Sequence, residues 1–337
     1  MNKEERLRTT TNLLKLRSQL DTDIPQKTAT ETLLIATWNI RKFGNKRRLE
    51  SLYYIAEIIN RFDLIAIQEV ISDMKGLEKL MYLLGPSWDY IVTDSTEGSA
   101  GGGERLAFVY DKCKIQFKKM AGEIVLSEKK LIDAKLQFAR TPYCVSFQAG
   151  WFKFMMTTVH IFYGTTSAVD KKKREKEIVT LTELLSKRAK NEKMSYVLLG
   201  DFNIPNTEDV TMQALEKYGF FVPAAIKDHP TDLGETKHYD QIAFNLQLKD
   251  NMVVFAENEQ CAGAFNFAKS VFRKEDMVDY RKYFSDKVVE KSEKEIEKYY
   301  MTYWRTFEMS DHLPLWVELK IDFSNQYLEK VNAETER

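Results

Sequence analysis

The chain has 337 residues, 44% of them hydrophobic and 12% aromatic, enough for a sizeable core in one large or two smaller domains of a soluble globular protein. Lys plus Arg and Asp plus Glu both total 50, so no overall field draws or repels a polyanion, and any attraction to nucleic acid has to come from local patches. Cys113, Cys144 and Cys261 are odd in number with no metal-ligand spacing and read as reduced thiols; with neither a signal-peptide core nor a membrane-length apolar run, the expected compartment is the cytoplasm.

Along the chain, residues 1–32 read as a helical arm, with Leu7, Leu13, Leu14, Leu16 and Leu20 among charges, followed by the linker "DTDIPQKTATE". Packing of this arm on the flank of the body and use of it as a tether are both open. From residue 33 strands and helices alternate: "LLIATWNI", a helix through "LESLYYIAEIINRF", "DLIAIQEV", "ERLAFVYD", "YCVSFQA", "FKFMMTTVHI", a charged helix over about 170–190, "YVLLGDFN", "YDQIAF" and "LPLWVELKI". Near-continuous apolar strands are those covered on both faces, as in layered α/β architecture, and no linker interrupts 33–323, so one domain is expected there. The Gly-rich "TEGSAGGGE", 96–104, matches no phosphate-loop spacing and reads as a flexible hairpin. Residues 273–303 are dense in opposite charges at helical offsets and read as a solvated helical insertion; residues 324–337 read as a tail.

Polar residues recur at the strand ends. Asn39 follows one apolar run, Glu69 another, His160 another, Asp201 and Asn203 close "LLGDFN", Asp240 opens "DQIAF", and Asp311 and His312 stand just before the last strand. A single such residue is a cap or a satisfied polar group; this many suggest side chains converging on one rim of packed sheets. Carboxylates and amides without a Cys and His cluster suit octahedral Mg²⁺ or Mn²⁺ and not zinc. Such a site with histidines favours phosphoryl chemistry, in which a His with a carboxylate partner activates water.

Through "WNI", "QEV", "GDFN" and "SDHLP" in this order, residues 33–322 resemble the endonuclease/exonuclease/phosphatase superfamily, which includes pancreatic deoxyribonuclease, apurinic endonucleases, sphingomyelinases and inositol polyphosphate phosphatases. The resemblance implies a four-layer α/β/β/α sandwich of two mixed sheets packed face to face, with the site at the top of the sheets. It implies Asn39, Glu69 and Asp311 as metal ligands for Mg²⁺ or Mn²⁺. Asp201 and Asn203 would hold phosphate and the attacking water or a second metal. His312 would be the general base oriented by Asp240, and His160 would contact the scissile phosphate or assist the leaving oxygen.

The finer motifs resemble the deoxyribonuclease branch: "WNIRKFG" adds Arg41, "GERLAFVY" places Glu104 as the partner of His160, and "FARTPYCVSF" places Arg140 at the phosphate. Departures are Gly102 in place of an aromatic minor-groove anchor, Ile71 in place of an Arg, and the missing disulfides. Replacement phosphate contacts are sought in Lys46, Arg47 and Arg48 or in Lys171, Lys172, Lys173 and Arg174, with solvated helix faces as the equal alternative. His229 and His238 read as incidental loop residues, and Tyr299, Tyr300, Tyr303 and Trp304 as helix packing onto the core.

The expected activity is therefore metal-dependent phosphodiester hydrolysis of nucleic acid, DNA before RNA, by an endonuclease. The alternatives are a phosphoesterase of phospholipid, inositol phosphate or nucleotide substrates, and a non-catalytic binding module. Protein partners are not legible.

Overall fold

A computed structural model describes residues 1–96, 102–128, 131–132, 137–247, 254–255 and 261–335. Most of the Gly-rich hairpin expected at 96–104 lies outside the described residues.

Two mixed sheets stack face to face between helical layers, a four-layer α/β/β/α sandwich. The first sheet holds β1 (Thr32–Phe43), β2 (Leu64–Ile71), β3 (Trp88–Val92) and β4 (Glu104–Asp111). The second comprises β5 (Ile115–Glu123), β6 (Tyr143–Ala149), β7 (Phe152–His160), β8 (Ser195–Asp201) and β9 (Asp240–Asn245), in that order. Three short or late strands, β10 (Val254–Phe255), β11 (Ala262–Ala264) and β12 (Leu315–Lys320), complete the first sheet, whose order is β10-β12-β1-β2-β4-β3 with β11 also paired to β12.

Among the described residues each sheet has one parallel pair, β1 with β2 and β7 with β8, and every other strand pairing is antiparallel. Parallel neighbours need a crossover. Helix α2 (Leu49–Ile59) and helix α4 (Ala168–Glu192) supply the two crossovers, while α3 (Lys75–Leu84) and α5 (Val210–Glu216) lie beside them. Parallel strands point the same way, so β1, β2, β7 and β8 carry their carboxyl ends to a common rim. The antiparallel neighbours β4, β9 and β12 begin at that rim.

Alternation sorts the strands. In β1, Leu33 and Ile35 face the opposite sheet, whereas Leu34, Ala36, Trp38 and Ile40 face the helices. Thr37 and Asn39 continue the inter-sheet face, and that face turns polar toward the rim. Gln68 of β2 crosses between the sheets there, donating to Thr158 Oγ1 of β7 at 2.9 Å and to Thr37 Oγ1 at 3.0 Å.

Helix α1 (Lys3–Asp23), opened by a capping box of Asn2 and Glu5, lies on α2. Leu16 and Leu20 are buried, and Arg8 grips Glu50 through Nε and Nη2. Leu7 and Leu14, which belong to the same apolar series in the sequence, are exposed. The insertion, a string of short helices through 273–308, is built on an aromatic cluster rather than on its charges. Tyr280 and Tyr300 are fully buried, Tyr280 lies 4.9 Å from both Phe272 and Trp304, and Phe284 packs 5.6 Å from Trp304. The segment 324–337, expected as a tail, carries a helix over Ser324–Thr335.

At the end of the sandwich remote from the rim, Asp63 is fully buried and accepts from the Leu34 amide at 2.9 Å and from Lys114 Nζ at 2.8 Å, with Lys27 at 3.7 Å. Removing this buried anion takes the carboxylate partner from Lys114 and the bond acceptor from the Leu34 amide, while Lys27 keeps Asp111 at 2.9 Å. We expect Asp63→Ala to cost about 3–5 kcal/mol in urea unfolding; a loss under ~1 kcal/mol contradicts this account.

Candidate active site

The rim gathers Asn39, Glu69, Glu104, His160, Asp201, Asp240 and His312 within one network. Register explains part of this, because His160, Asp201 and Asp240 pair side by side across β7, β8 and β9. In the first sheet regular alternation would send Glu69 to the helix side, next to Gln68 on the inter-sheet side. A bulge between Ile67 and Val70 prevents that, with Glu69 in the left-handed region at φ 61°. The extra residue turns its carboxylate toward Asn39, whose Nδ2 donates to Glu69 Oε1 at 3.0 Å, while the Lys42 amide donates to Oε2 at 2.9 Å.

Asp201 is the hub. Its Oδ2 accepts from Asn39 Nδ2 at 3.0 Å and lies 3.5 Å from His160 Nε2 and 3.8 Å from His312 Nε2; its Oδ1 accepts from the Asn203 amide at 2.9 Å. Gly200 allows this placement: at φ 137° a Cβ would stand 2.2 Å from the carbonyl oxygen of Val159, so no side chain fits where β8 hugs β7. Asn203, itself at φ 54°, donates from Nδ2 to the Ile161 carbonyl at 2.8 Å and closes the turn after β8.

Two imidazole–carboxylate dyads flank the hub, and each joins the two sheets. His160 of the second sheet donates from Nδ1 to Glu104 Oε2 of the first at 2.9 Å. His312, before β12 of the first sheet, donates from Nδ1 to Asp240 Oδ2 of the second at 2.8 Å. Both rings therefore turn Nε2 inward. Arg140 grips Glu104 through Nε at 2.6 Å and Nη2 at 3.1 Å. Burial pushes the Glu104 carboxyl up, but His160 and Arg140 outweigh it and hold the group at about 2. Burial likewise opposes a charge on His160 and His312, and neighbouring carboxylates win in both: Glu104 and Asp201 raise His160, and Asp240 and Asp201 raise His312 well above the ordinary range.

Asp311 and Arg41 stand at the edge. The Asp311 side chain is half exposed, 3.9 Å from Arg41 Nη1, and Arg41 also donates to Thr306 Oγ1 at 2.6 Å.

Several residues not singled out in the sequence build the support. Ser310 Oγ donates to the Asn39 carbonyl at 2.6 Å and accepts from the His312 amide at 3.0 Å. Thr231 accepts from the Asp240 amide at 3.0 Å, and the Tyr239 ring lies 5.6 Å from His312. The available signals were adjacency to "DH", to "YD" and, for Gln68, to Glu69.

Glu177 of α4 had no local signal; its carboxylate accepts from the amides of Ala139 and Phe162 at 3.0 and 3.1 Å, next to Arg140 and just past His160. Two basic clusters, read in the sequence as either phosphate contacts or solvated helix faces, are partly turned inward. Buried Arg174 donates to the carbonyls of Phe162, Asn203 and Tyr163 at 3.1, 3.0 and 2.6 Å. Buried Arg47 donates to carbonyls of Lys42, Arg41, Glu308 and Met309, and Arg48 pairs with Glu5 and Glu50. A guanidinium surrounded by carbonyls serves the fold and is lost to a substrate.

The donor set fits a hard divalent cation. The ligand oxygens and nitrogens of Glu69, Glu104 and His160 lie within 4.8 Å of one another, as do those of Asp201, Asp240 and His312. Glu104 accepts hydrogen bonds from two cation-forming groups, Arg140 and His160. Among the described residues Glu69 accepts only from the Asn39 amide group and the Lys42 backbone amide, which leaves it the carboxylate of the first group with no cationic partner. Beside it the Oδ1 of Asn39 is buried and has no hydrogen-bond partner among the described residues, the condition of an oxygen awaiting a cation.

Burial raises Glu177 to about 7, against the two amides that favour its anion. Between about pH 4.5 and 7 the folded chain holds a proton there that the unfolded chain has released, so Glu177 contributes less stability as pH rises. Measured by urea unfolding, the stability of the wild type relative to Glu177→Gln should fall by on the order of 3 kcal/mol from pH 4.5 to 8. A pH-independent difference refutes the assignment.

No family model matches the chain, and no curated protein matches it. Solved structures do, as whole chains. An endonuclease/exonuclease/phosphatase family protein from Bacteroides thetaiotaomicron is 18% identical, with 87% of this chain and 96% of that one covered at a TM-score of 0.57. A mannosyl-6-phosphatase from the same organism is also 18% identical, covering 86% and 100% at 0.57. TDP2 from D. rerio, complexed with a single-strand DNA product, is 13% identical, covering 86% and 99% at 0.54. The fold of this chain is that of the endonuclease/exonuclease/phosphatase superfamily.

Proposed function

We propose that the chain is a divalent-metal-dependent phosphodiesterase that hydrolyses nucleic acid, with DNA as the first candidate and internal cleavage as its mode. The observation that carries the reading is the pair of imidazole–carboxylate dyads with both Nε2 atoms turned to the same Asp201 oxygen. Two such groups on opposite sides of one anion provide a base for the attacking water and a hydrogen-bond donor for the phosphoryl group.

In this reading Asn39 and Glu69, with Asp311 at the edge, hold Mg²⁺ or Mn²⁺. When bound, the ion supplies polarisation of the phosphoryl oxygen and stabilisation of developing charge. Asp201 and Asn203 position the water. With a bound cation offsetting the carboxylate charge that raises it, His312 would start neutral. Its Nε2 accepts the water proton as the water oxygen bonds to phosphorus and the P–O bond to the leaving oxygen breaks, and Asp240, holding Nδ1–H, stabilises the resulting imidazolium. His160, fixed by Glu104, presents Nε2 to a phosphoryl oxygen or to the leaving oxygen. Arg41 and Arg140 are the cations nearest the substrate, although Arg140 Nε and Nη2 are already engaged by Glu104.

A second reading, hydrolysis of a small phosphate ester, is favoured by the inward turn of Arg47 and Arg174, which removes two charges from any polyanion track. The structurally similar mannosyl-6-phosphatase supports the same alternative.

Supercoiled plasmid, single-stranded DNA, RNA and sugar phosphates, each with Mg²⁺, Mn²⁺ or EDTA, separate the readings. We expect metal-dependent nicking of plasmid; turnover of sugar phosphate alone favours the second. His312→Ala should lower kcat by about 10²-fold or more while Mn²⁺ binding by calorimetry is retained. Glu69→Gln should instead weaken Mn²⁺ binding by about tenfold or more. Near-normal turnover in His312→Ala removes His312 as the base, and unchanged Mn²⁺ affinity in Glu69→Gln removes Glu69 as a ligand.

A further inference from the structure

The insertion over 273–308 presents one large aromatic to solvent beside the site. Its chain passes through a π-helical turn, Tyr300–Trp304, in which Tyr300 and Trp304 face the aromatic core and Tyr303 faces outward. Such turns are rare and mark places where a helix is bent to a task. Tyr303 lies in offset parallel contact with Tyr299, ring centroids 6.0 Å apart, and the Arg41 guanidinium stands 5.3 Å from its centroid. Neither contact closes the ring, since 61% of the residue is accessible.

Arg41 fixes where this ring is. It lies 3.9 Å from Asp311, the residue before His312, and is tied to Thr306 of the same insertion. The exposed ring of Tyr303 is therefore one guanidinium away from the edge of the catalytic rim. An exposed tyrosine held by an arginine is a flat, preorganised surface, and a nucleobase stacks on such a surface whatever its sequence.

Charge gives this surface its purpose. The chain is neutral overall, and Arg47, Arg48 and Arg174 are spent on carbonyls and carboxylates of the protein itself. Of the two basic clusters only lysines such as Lys46, Lys172 and Lys173 stay exposed, so the basic surface is reduced and affinity for a nucleic acid gains from contacts of another kind. Bases in a duplex are already stacked on each other, so a ring on the flank of the cleft gains most from an unpaired base.

We propose that Tyr303, backed by Arg41, is a stacking platform for an unpaired nucleobase next to the scissile phosphate, and that it adds affinity for single-stranded stretches to a site that also cuts duplex. This rests on the nucleic-acid reading above, but its test is independent of turnover. Binding of a fluorescein-labelled single-stranded oligonucleotide, and of an abasic strand of equal length, is measured by anisotropy in EDTA for wild type, Tyr303→Ala and Tyr303→Phe. Tyr303→Ala should weaken binding of the base-containing strand about fivefold or more. Tyr303→Phe should stay within about twofold, and the abasic strand should bind wild type and Tyr303→Ala alike. Equal affinity of wild type and Tyr303→Ala for the base-containing strand, an equal loss on the abasic strand, or no preference of the wild type for bases overturns the proposal. A failure of the phosphodiesterase reading shows elsewhere, as an absence of metal-dependent cleavage by the wild type.

Discussion

The buried carboxylate of Asp201 is the interaction on which the rim depends. An anion at the end of a strand, almost wholly removed from water, is costly unless it is surrounded by donors. Asn39 supplies one from the facing sheet, the Asn203 amide supplies another from the following turn, and two imidazoles close in from either side. Because the histidines are themselves held by carboxylates from opposite sheets, the same bonds that satisfy Asp201 lock the two sheets together at this edge. Below them, Gln68 ties β2 to Thr158 of β7. Elsewhere the sheets meet through apolar side chains, which pack without direction. At the rim they meet through hydrogen bonds, which fix relative position far more narrowly.

Strain collects at the same place. Lys42, Glu69 and Asn203 all occupy the left-handed region, and Gly200 sits where no side chain is tolerated. Each of these conformations is disfavoured by itself and persists because the surrounding packing determines it. The bulge at Glu69 illustrates the trade: β2 loses ladder regularity and gains a carboxylate aimed at Asn39. Scaffold arginines serve the same end from outside. Arg174 clamps the turns after β7 and β8 through their carbonyls, and Arg47 gathers those of the β1 end and of the segment before the "SDH" turn. These two buried arginines thus act as mortar, and Arg41 and Arg140 are left as the cations at the rim.

Much of the site was legible in sequence because a carboxylate or amide at the end of an apolar run conflicts with burial, and a conflict of that kind needs a reason. Asn39, Glu69, His160, Asp201, Asp240 and His312 all betray themselves in this way. Glu177 does not, since a glutamate within a charged helix looks like any solvated one until α4 is laid against the loops of Ala139 and Phe162. Tyr303 is hidden for the opposite reason: it belongs to a string of aromatics, of which Tyr300 and Trp304 do pack inward. Arg47 and Arg174 sit in basic runs, and nothing in a run tells which member will point away from water.

By itself the sequence determined the alternation of strands and helices, the layered α/β class and the polar identities of the strand ends, because burial patterns and backbone preferences act over a few residues. Only the tertiary structure decided which carboxylate serves which histidine, that both dyads cross between sheets, and which cations are spent within the protein. Those choices join residues as far apart as Asp240 and His312, or Asn39 and Asp201, and depend on strand order, on register and on one bulge. None of these is written in any local stretch of chain, since a side chain's partner is set by the sheet that folds over it and not by its neighbours in sequence.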